Sequence, residues 1–233
     1  MHNLWIDGKK LQEMGIVVSG EGTYNAPEYD YETQAVPGLN GDLIQDNGRY
    51  KNITVSYPAG ITRDFAKNAQ AARAFLLGYG AKYRRIQDDY HPGLYRMGIY
   101  SGGIDFEMGF LNRAGETTLA FNCKPQRFLL SGENPITMQS GQALYNAWMP
   151  TKPLLLVTGN GTLSVGGTSI TVSGTSGQFY IDCEIQDAWQ GLSNLNDNIE
   201  VENHEYPVIP AGESQVAFTG ITQLQIIPRW WTL

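Results

Sequence analysis

The sequence predicts a mainly β protein with one helix, and three observations carry this prediction. Glycine is frequent, with 27 residues in a chain of 233. Tyrosine occurs 13 times, while charged residues make up only 17%, below the roughly 25% of an average soluble domain. Hydrophobic residues reach 42%, which is enough for a buried core and argues against disorder. Together these features are typical of many short strands joined by tight turns.

The first half of the chain alternates between strands and turns. The predicted strands are 4–6, 16–18, 50–57, 81–87, 94–100, 104–110 and 117–123, the last of them ended by Pro125. Within 50–57, the residues Ile53, Val55 and Tyr57 fall on one face. Residues 20–48 are interpreted as turn-rich, because they contain two Asn-Gly pairs that favour positive-φ turns.

One helix is predicted, over about 62–77. Apolar residues recur there at helical spacing and form one stripe, which predicts an amphipathic helix. Thr62 or Asp64 is expected to cap its start by accepting a hydrogen bond from a first-turn amide. Gly78 is expected to end it, because glycine adopts the left-handed conformation without steric cost.

Residues 129–153 are rich in glycine and proline and predict a linker. After them the pattern is purely β. Two alternating segments, 162–165 and 168–172, flank Gly166-Gly167, which predicts a hairpin. Further strands are predicted at 154–158, 179–185, 216–218 and 224–227. Short strands at this spacing favour an antiparallel sandwich.

No residue pattern identifies an enzyme. The carboxylate pairs Asp105/Glu107 and Asp182/Glu184 each lie two apart on a predicted strand, as in some glycosidases, but polar residues also alternate there by construction. The three histidines match no metal-binding spacing, and no nucleophile elbow or phosphate loop occurs. Cys123 and Cys183 are expected to be buried free thiols. Neither a catalytic residue, a metal ligand nor a cofactor is predicted.

Charge and hydropathy limit the partners of this chain. The net charge is −7, and no basic run offers a footprint for nucleic acid. No apolar run approaches the ~20 residues of a membrane helix. The first residues lack a charged region followed by an apolar stretch, so synthesis in the cytoplasm is expected.

Several short motifs follow one another in a characteristic order. They are residues 5–8 (WIDG), 35–43 (AVPGLNGDL), 88–96 (DDYHPGLYR), 119–125 (LAFNCKP) and 228–231 (PRWW). In this order they resemble the distal tail proteins of long-tailed, non-contractile bacteriophages, and the resemblance covers nearly the whole chain. Leu39 stands where that family carries an arginine.

The resemblance implies two β-sandwich domains. The first, residues 1–130, would carry the helix and a projecting β-hairpin, and the second, residues 131–233, would be galectin-like. Six copies would form a ring at the virion tail tip, assembled in the host cytoplasm, that joins the tail tube to the baseplate or tip proteins and supports host adsorption. DNA would pass through the bore without specific binding, and neither a cofactor, a membrane contact nor an enzymatic activity is implied.

Two sets of candidate site residues follow. Residues 83–100 are interpreted as the projecting hairpin, and its basic and aromatic residues as a contact with the neighbouring subunit; these are Arg84, Arg85, Tyr95 and Arg96. The alternative is that the arginines only form a solvated face. The alternative function is a carbohydrate-binding protein, in which Trp189 and Trp230 would stack on cell-wall or host-surface sugar.

Overall fold

The structure is a computed structural model that describes residues 2–20, 24–109 and 113–233. The chain divides into two units, residues 1–127 and 128–232. Strands dominate both units, and one α-helix, α1, spans Phe65–Leu77. None of the helices in the described ranges has the length and apolar character to cross a membrane.

The first unit contains ten strands within its described residues. They are β1 Leu4–Ile6, β2 Lys9–Lys10, β3 Ile16–Val18, β4 Tyr29–Ala35, β5 Asp42–Tyr50, β6 Ile53–Ile61, β7 Arg84–Asp88, β8 Leu94–Tyr100, β9 Glu107–Gly109 and β10 Ala114–Leu129. A short 3-10 helix, Leu11–Met14, lies between β2 and β3. Most of the strands form one sheet in the order β2-β1-β7-β8-β10-β6-β3, with β9 paired to β10.

Alternation places one face of β6 in the core of this unit. Ile53, Val55 and Tyr57 are 7%, 2% and 2% exposed, which confirms the face predicted for them. The strand continues to Ile61 and pairs antiparallel with β10 along its whole length. Its burial therefore anchors the middle of the sheet.

The predicted helix 62–77 is confirmed over Phe65–Leu77. Its inner face buries Ala69, Ala72 and Leu76. These residues recur every three or four positions, so the stripe faces the core as the spacing predicts.

The ends of α1 differ from the prediction. Asp64 rather than Thr62 precedes the helix, but its side chain makes no capping hydrogen bond. Its φ of 45° is left-handed, whereas capping needs a β-region backbone at this position. Gly78 keeps a helical φ of −67°, and the left-handed glycine is Gly80, with φ of 64°.

Residues 29–50 correct the interpretation of 20–48 as a turn-rich segment. The strands β4 and β5 pair antiparallel as a separate two-stranded sheet. Ala35 lies opposite Asp42 near the tip, and Tyr29 lies opposite Tyr50 at the base. We call this segment, residues 29–50, the free hairpin. Nearly all of its side chains are exposed, so burial does not mark its strands in the sequence.

Residues 83–100 are not the projecting hairpin, and that prediction was wrong. They form β7 and β8, which lie inside the main sheet between β1 and β10. Every second residue of β7 is buried, namely Arg84, Ile86 and Asp88. A strand with a buried face and a partner on each side belongs to the sheet rather than projecting from it.

The second unit contains the remaining strands. They are β11 Ile136–Met138, β12 Gln142–Asn146, β13 Leu154–Val165, β14 Thr168–Val172, β15 Gln178–Asp182, β16 Asp187–Gln190, β17 Ser193–Asn194, β18 Ile199–Val201, β19 Gly212–Ile227 and β20 Trp231–Thr232. Short 3-10 helices span Leu130–Glu133, Asn196–Asn198 and Glu202–His204. Nine strands, β11 to β19, form an antiparallel sheet whose central order is β11-β19-β13-β15-β16-β17.

The predicted hairpin around Gly166-Gly167 is confirmed by β13 and β14. Val165 pairs with Thr168, and Leu163 pairs with Ile170. Each of the predicted inward residues, Leu163, Val165, Ile170 and Val172, is at most 2% exposed. Alternation thus fixes both the register and the buried face of this hairpin.

Several boundaries in the chain differ from the prediction. Residues 129–153, predicted as a linker, contain β11 and β12, which both pair with β19. β19 is one long strand where two were predicted. Pro125, predicted to end a strand, lies within β10. The hydrogen-bonded ladder of β10 with β6 stops at Cys123, so the backbone N–H that proline lacks is not needed for that ladder. Of the predicted strand 104–110, the structure contains 107–109, and Phe110 lies outside the described residues.

Candidate functional site

The free hairpin has two chemically different faces. Strand register places Tyr31 opposite Asp46 and Thr33 opposite Ile44. Because side chains alternate along a strand, these residues and Tyr29 lie on one face, which we call the tyrosine face. The other face carries mostly charged and polar residues together with one exposed leucine; they are Asp30, Glu32, Gln34, Leu43, Gln45 and Arg49.

The tyrosine face is exposed in the single chain. Tyr29 is 40% exposed, Tyr31 51% and Ile44 67%. With Thr33, Asp42 and Asp46 these side chains line a shallow hollow of about 360 Å³. Soluble proteins rarely leave contiguous apolar surface open without a role in binding. The hollow is therefore a candidate contact surface.

Polar contacts and ring packing hold the hairpin in register. Tyr29 donates its hydroxyl to Asp46 Oδ2 at 3.1 Å, which raises the pKa of Tyr29. Its ring packs edge-on against Tyr50, with centroids 4.9 Å apart. On the opposite face Arg49 Nε donates to Asp30 Oδ2 at 2.7 Å, and this hydrogen bond lowers the pKa of Asp30.

Two asparagines fasten the base of the hairpin to the main sheet. Asn25 Nδ2 donates to the Thr54 carbonyl at 2.9 Å. Asn52 Nδ2 donates to the Tyr83 hydroxyl at 3.2 Å. The hairpin is thus anchored at one end, while its strands, among the described residues, pair only with each other.

Arg84, one of the predicted contact residues, works inside the first unit. It is 6% exposed, and its Nε donates to Asp7 Oδ2 at 2.7 Å. Its Nη1 donates to the Phe75 carbonyl at 2.9 Å, near the C-terminal end of α1. The guanidinium carbon lies 4.3 Å from the ring centroid of Phe75 and 4.1 Å from that of Tyr79. Arg84 therefore ties the end of the helix to the sheet.

Arg96 is also buried, at 5% exposure. Burial lowers its pKa, and the nearby charge of Arg127 acts in the same direction. Close to it, Tyr57 donates its hydroxyl to Asp88 Oδ2 at 2.6 Å, and the amide of His91 donates to Asp88 Oδ1 at 2.9 Å. The Arg96 guanidinium thus belongs to a polar cluster in the interior of the unit.

The remaining two predicted contact residues lie together on half-buried positions. The guanidinium carbon of Arg85 is 4.0 Å from the ring centroid of Tyr95. Since Arg84 and Arg96 are buried, a contact of this region with a neighbouring subunit stays a prediction for Arg85 and Tyr95 alone.

The two tryptophans proposed for sugar stacking differ in how much of each side chain is exposed. Trp230 is 8% exposed, so its ring is enclosed by protein. Trp189 is half-buried and stacks on Tyr180 across β15 and β16, with centroids 5.5 Å apart and planes 13° from parallel. Stacking on sugar in this unit therefore stays a prediction for Trp189, now paired with Tyr180.

The carboxylate pair Asp182/Glu184 is joined by an arginine. Arg229 donates to both oxygens of Asp182, at 2.7 Å each, and to Glu184 Oε2 at 3.4 Å. Burial would raise the pKa of Asp182, but the hydrogen bonds from Arg229 and the backbone outweigh it and lower that pKa. A carboxylate held ionised and fully paired is a poor general acid.

The second carboxylate pair, Asp105/Glu107, lies on the exposed surface of the first unit. Both residues are exposed and, with Glu116, line an open groove of about 510 Å³ in the first unit.

The two cysteines are free and buried, as predicted. Burial raises the pKa of Cys123 to about 11 and that of Cys183 to about 12. Thiols with such pKa values are almost entirely protonated near neutral pH and react slowly.

The fold is similar to that of known phage proteins. The Dit protein of phage SPP1, described as a paradigm of the hub adsorption apparatus in phages that infect Gram-positive bacteria, matches over 100% of this chain and 98% of its own, with a TM-score of 0.73 at 12% identity. The chain has the fold of a distal tail protein. Two baseplate structures of phage p2, in the activated conformation with Sr and with Ca, match over 97% of both chains, with TM-scores of 0.54 and 0.51 at 10% and 9% identity.

The match to the distal tail protein agrees with the resemblance inferred from the ordered motifs, at the level of fold. No protein-family model matches the sequence, and no curated protein matches it. At about one residue in eight identical, the shared fold is carried by the pattern of buried and exposed positions rather than by particular side chains.

The tyrosine face of this distal-tail fold was missed in the sequence. Its signal is the alternation Tyr29-Asp30-Tyr31-Glu32-Thr33, which is a strand pattern of period two. The neighbouring Asn-Gly pairs favour turns more strongly, and so they hid it.

Proposed function

We propose that this chain is a structural subunit of a bacteriophage tail tip, where it forms a ring that joins the tail tube to the baseplate and supports host adsorption. The observation that carries the proposal is the fold match to SPP1 Dit, which extends over both units and nearly the full length of both chains. A match over both units argues for the same architecture, because a single β-domain is shared by many unrelated functions.

The free hairpin supplies the contact between copies. A two-stranded sheet is marginally stable alone, and its exposed Tyr31 and Ile44 would be stabilised by burial against another protein. We assign the tyrosine face to a second copy of this chain.

A ring is expected when the contact joins two different patches on neighbouring copies. When one patch meets a different patch on the next copy, the assembly closes into a ring if the rotation allows it. The proposed number, six, comes from the resemblance to distal tail proteins.

A tail-tip ring must let DNA pass through its bore. The net charge of −7 per copy favours passage, since an acidic bore repels phosphates instead of holding them. We place no specific DNA contact in the chain. The partners proposed are the tail tube on one side and the tail-tip or baseplate proteins on the other, and the second unit is proposed to be galectin-like.

The proposed role is structural and non-enzymatic. The strongest catalytic candidate, the pair Asp182/Glu184, is engaged by Arg229. An assembly role uses the exposed hairpin instead of this pair.

The test is the solution mass of the purified chain by light scattering after gel filtration, with negative-stain images of the same peak. Six copies of a 25.8 kDa chain weigh about 155 kDa. That mass with ring-shaped particles is expected. A monomer at every concentration tested argues against self-assembly, and an enclosed particle without a central hole argues against the ring.

A second candidate, carbohydrate binding, is favoured by one observation. Trp189 and Tyr180 form a nearly coplanar pair that is not fully buried, and flat aromatic surfaces stack on sugar rings. The test is binding of the chain to fragments of cell-wall polysaccharide by calorimetry. Binding that is lost in Trp189→Ala and kept in Trp148→Ala supports this role, and equal binding by both variants removes it.

A further inference from the structure

The outer side of α1 carries apolar side chains that stay largely exposed. Leu77 and, just beyond the helix, Tyr79 are each 53% exposed. The exposed positions Ala66, Ala71 and Ala74 add a surface without bulky side chains. The inner side is already buried through its own residues, so this outer side is available to a partner.

The same region is basic in an acidic chain. Residues 63–82 contain four cationic residues and a single acid, Asp64; the cations are Arg63, Lys67, Arg73 and Lys82. Within the described part of the chain, none of these four lies in an ion pair. The region thus presents a net charge of +3 from residues whose charges are left uncompensated.

The free hairpin has the opposite balance. Residues 29–50 contain four acids, Asp30, Glu32, Asp42 and Asp46, and one arginine, a net charge of −3. Asp42 and Asp46 line the hollow on the tyrosine face. The face therefore combines apolar and acidic groups, and the outer side of α1 combines apolar and basic groups.

The two surfaces also agree in length. The 13 residues of α1 span about 20 Å at 1.5 Å per residue. The seven residues of β4 span about 23 Å at roughly 3.3 Å per residue. A hairpin of this length covers the whole helix when it is laid along it.

We propose that the outer side of α1, with the residues up to 82, receives the tyrosine face of the free hairpin from a second copy. This inference rests on the proposed ring function and names its receiving surface. In the single chain both surfaces are exposed, so neither is covered by the other within one copy. Each copy offers one hairpin and one helix, which are the two different patches that a ring requires.

Cysteine cross-linking tests the contact directly. The chain with Ile44→Cys and Ala74→Cys together is oxidised with copper-phenanthroline and run on a non-reducing gel. A ladder of covalent oligomers is expected, because each copy can then bond to two neighbours. Cys123 and Cys183 do not interfere, since both are buried with raised pKa values.

Two controls define the result. Ile44→Cys alone is expected to stop at dimers. Ile44→Cys with Glu200→Cys, an exposed position of the second unit, is expected to give no ladder either. A ladder in this second control as strong as in the test pair overturns the proposed contact.

Charge exchange separates this inference from the proposed function. Asp42→Lys and Lys67→Glu are each expected to lower the assembled fraction about tenfold, since like charges across an interface repel, and the double variant is expected to recover it. If both single variants assemble like the wild type and no ladder forms, the receiving surface is wrong while the ring stands. If the wild type itself never assembles, both fail.

Discussion

Two hairpins of this protein share a geometry and differ in surroundings. In the hairpin of β13 and β14 the inward residues are at most 2% exposed. In the free hairpin Tyr31 and Ile44, placed just as regularly on one face, are 51% and 67% exposed. The inward face of the first hairpin is covered by other residues of the same chain. The second has an exposed face that combines apolar and acidic side chains, and exposed apolar surface of this kind often marks a binding site.

The difference predicts different costs for removing the inward residues. Leu163→Ala, at a fully buried position, should lower the free energy of unfolding of the second unit by about 3 kcal/mol, from lost burial and the cavity left behind. The measurement is urea unfolding followed by tryptophan fluorescence, because four of the five tryptophans lie in that unit.

The matched change in the free hairpin is Ile44→Ala. It should leave the unfolding of the unassembled chain within about 0.5 kcal/mol of the wild type, followed by circular dichroism. An effect of similar size at both positions would mean that the hairpin is buried in the single chain.

A smaller effect is expected from the ion pairs of the two regions. Asp182 is 5% exposed and bonded to Arg229 through both oxygens. Asp182→Asn leaves a partly buried guanidinium without its charge partner, which should lower the free energy of unfolding by about 2 kcal/mol, less than for a fully buried pair. In the free hairpin Asp30→Asn, which removes the pair with Arg49, should leave the urea midpoint unchanged.

The ion pair of Asp182 and Arg229 also predicts how the stability of the protein depends on pH. The folded-state pKa of Asp182 is lowered, so its contribution is complete above the unfolded-state pKa of about 3.9 and is lost as the pH falls through the folded value. Below about pH 3.9, wild-type stability should therefore drop more steeply than that of Asp182→Asn, in urea midpoints measured from pH 7 to 2. Parallel curves for the two proteins would contradict this assignment.

Periodicity predicted the elements whose faces are buried. The stripe of α1 and the alternation of Leu163, Val165, Ile170 and Val172 were correct because the core selects apolar residues at fixed spacing. Contacts that depend on long-range position were missed. Arg84 and Arg96 are buried in the folded unit, although their residue type favours the surface. Pro125 lies inside β10, two residues beyond Cys123, where the ladder with β6 ends.

The candidate site was harder to predict for the same reason. The strands of the free hairpin have no buried face within one chain, so only the alternation at 29–33 marks them, and nearby turn residues outweigh it. The ordered motifs indicated the fold class of the whole chain better than any single element, and the structural match supports that fold.

The smallest effect on stability is expected at the position with the largest effect on assembly. Ile44→Asp should unfold like the wild type, because the side chain is 67% exposed in the single chain. Its matched control is Ile185→Asp in the second unit, where the side chain is 64% exposed.

The most direct measurement is the solution mass of these three proteins at one concentration. The wild type and Ile185→Asp should both give about 155 kDa, six times the 25.8 kDa chain, and Ile44→Asp should give the 25.8 kDa chain alone. An Ile44→Asp protein that assembles as fully as the wild type would contradict the claim that the tyrosine face is the assembly surface.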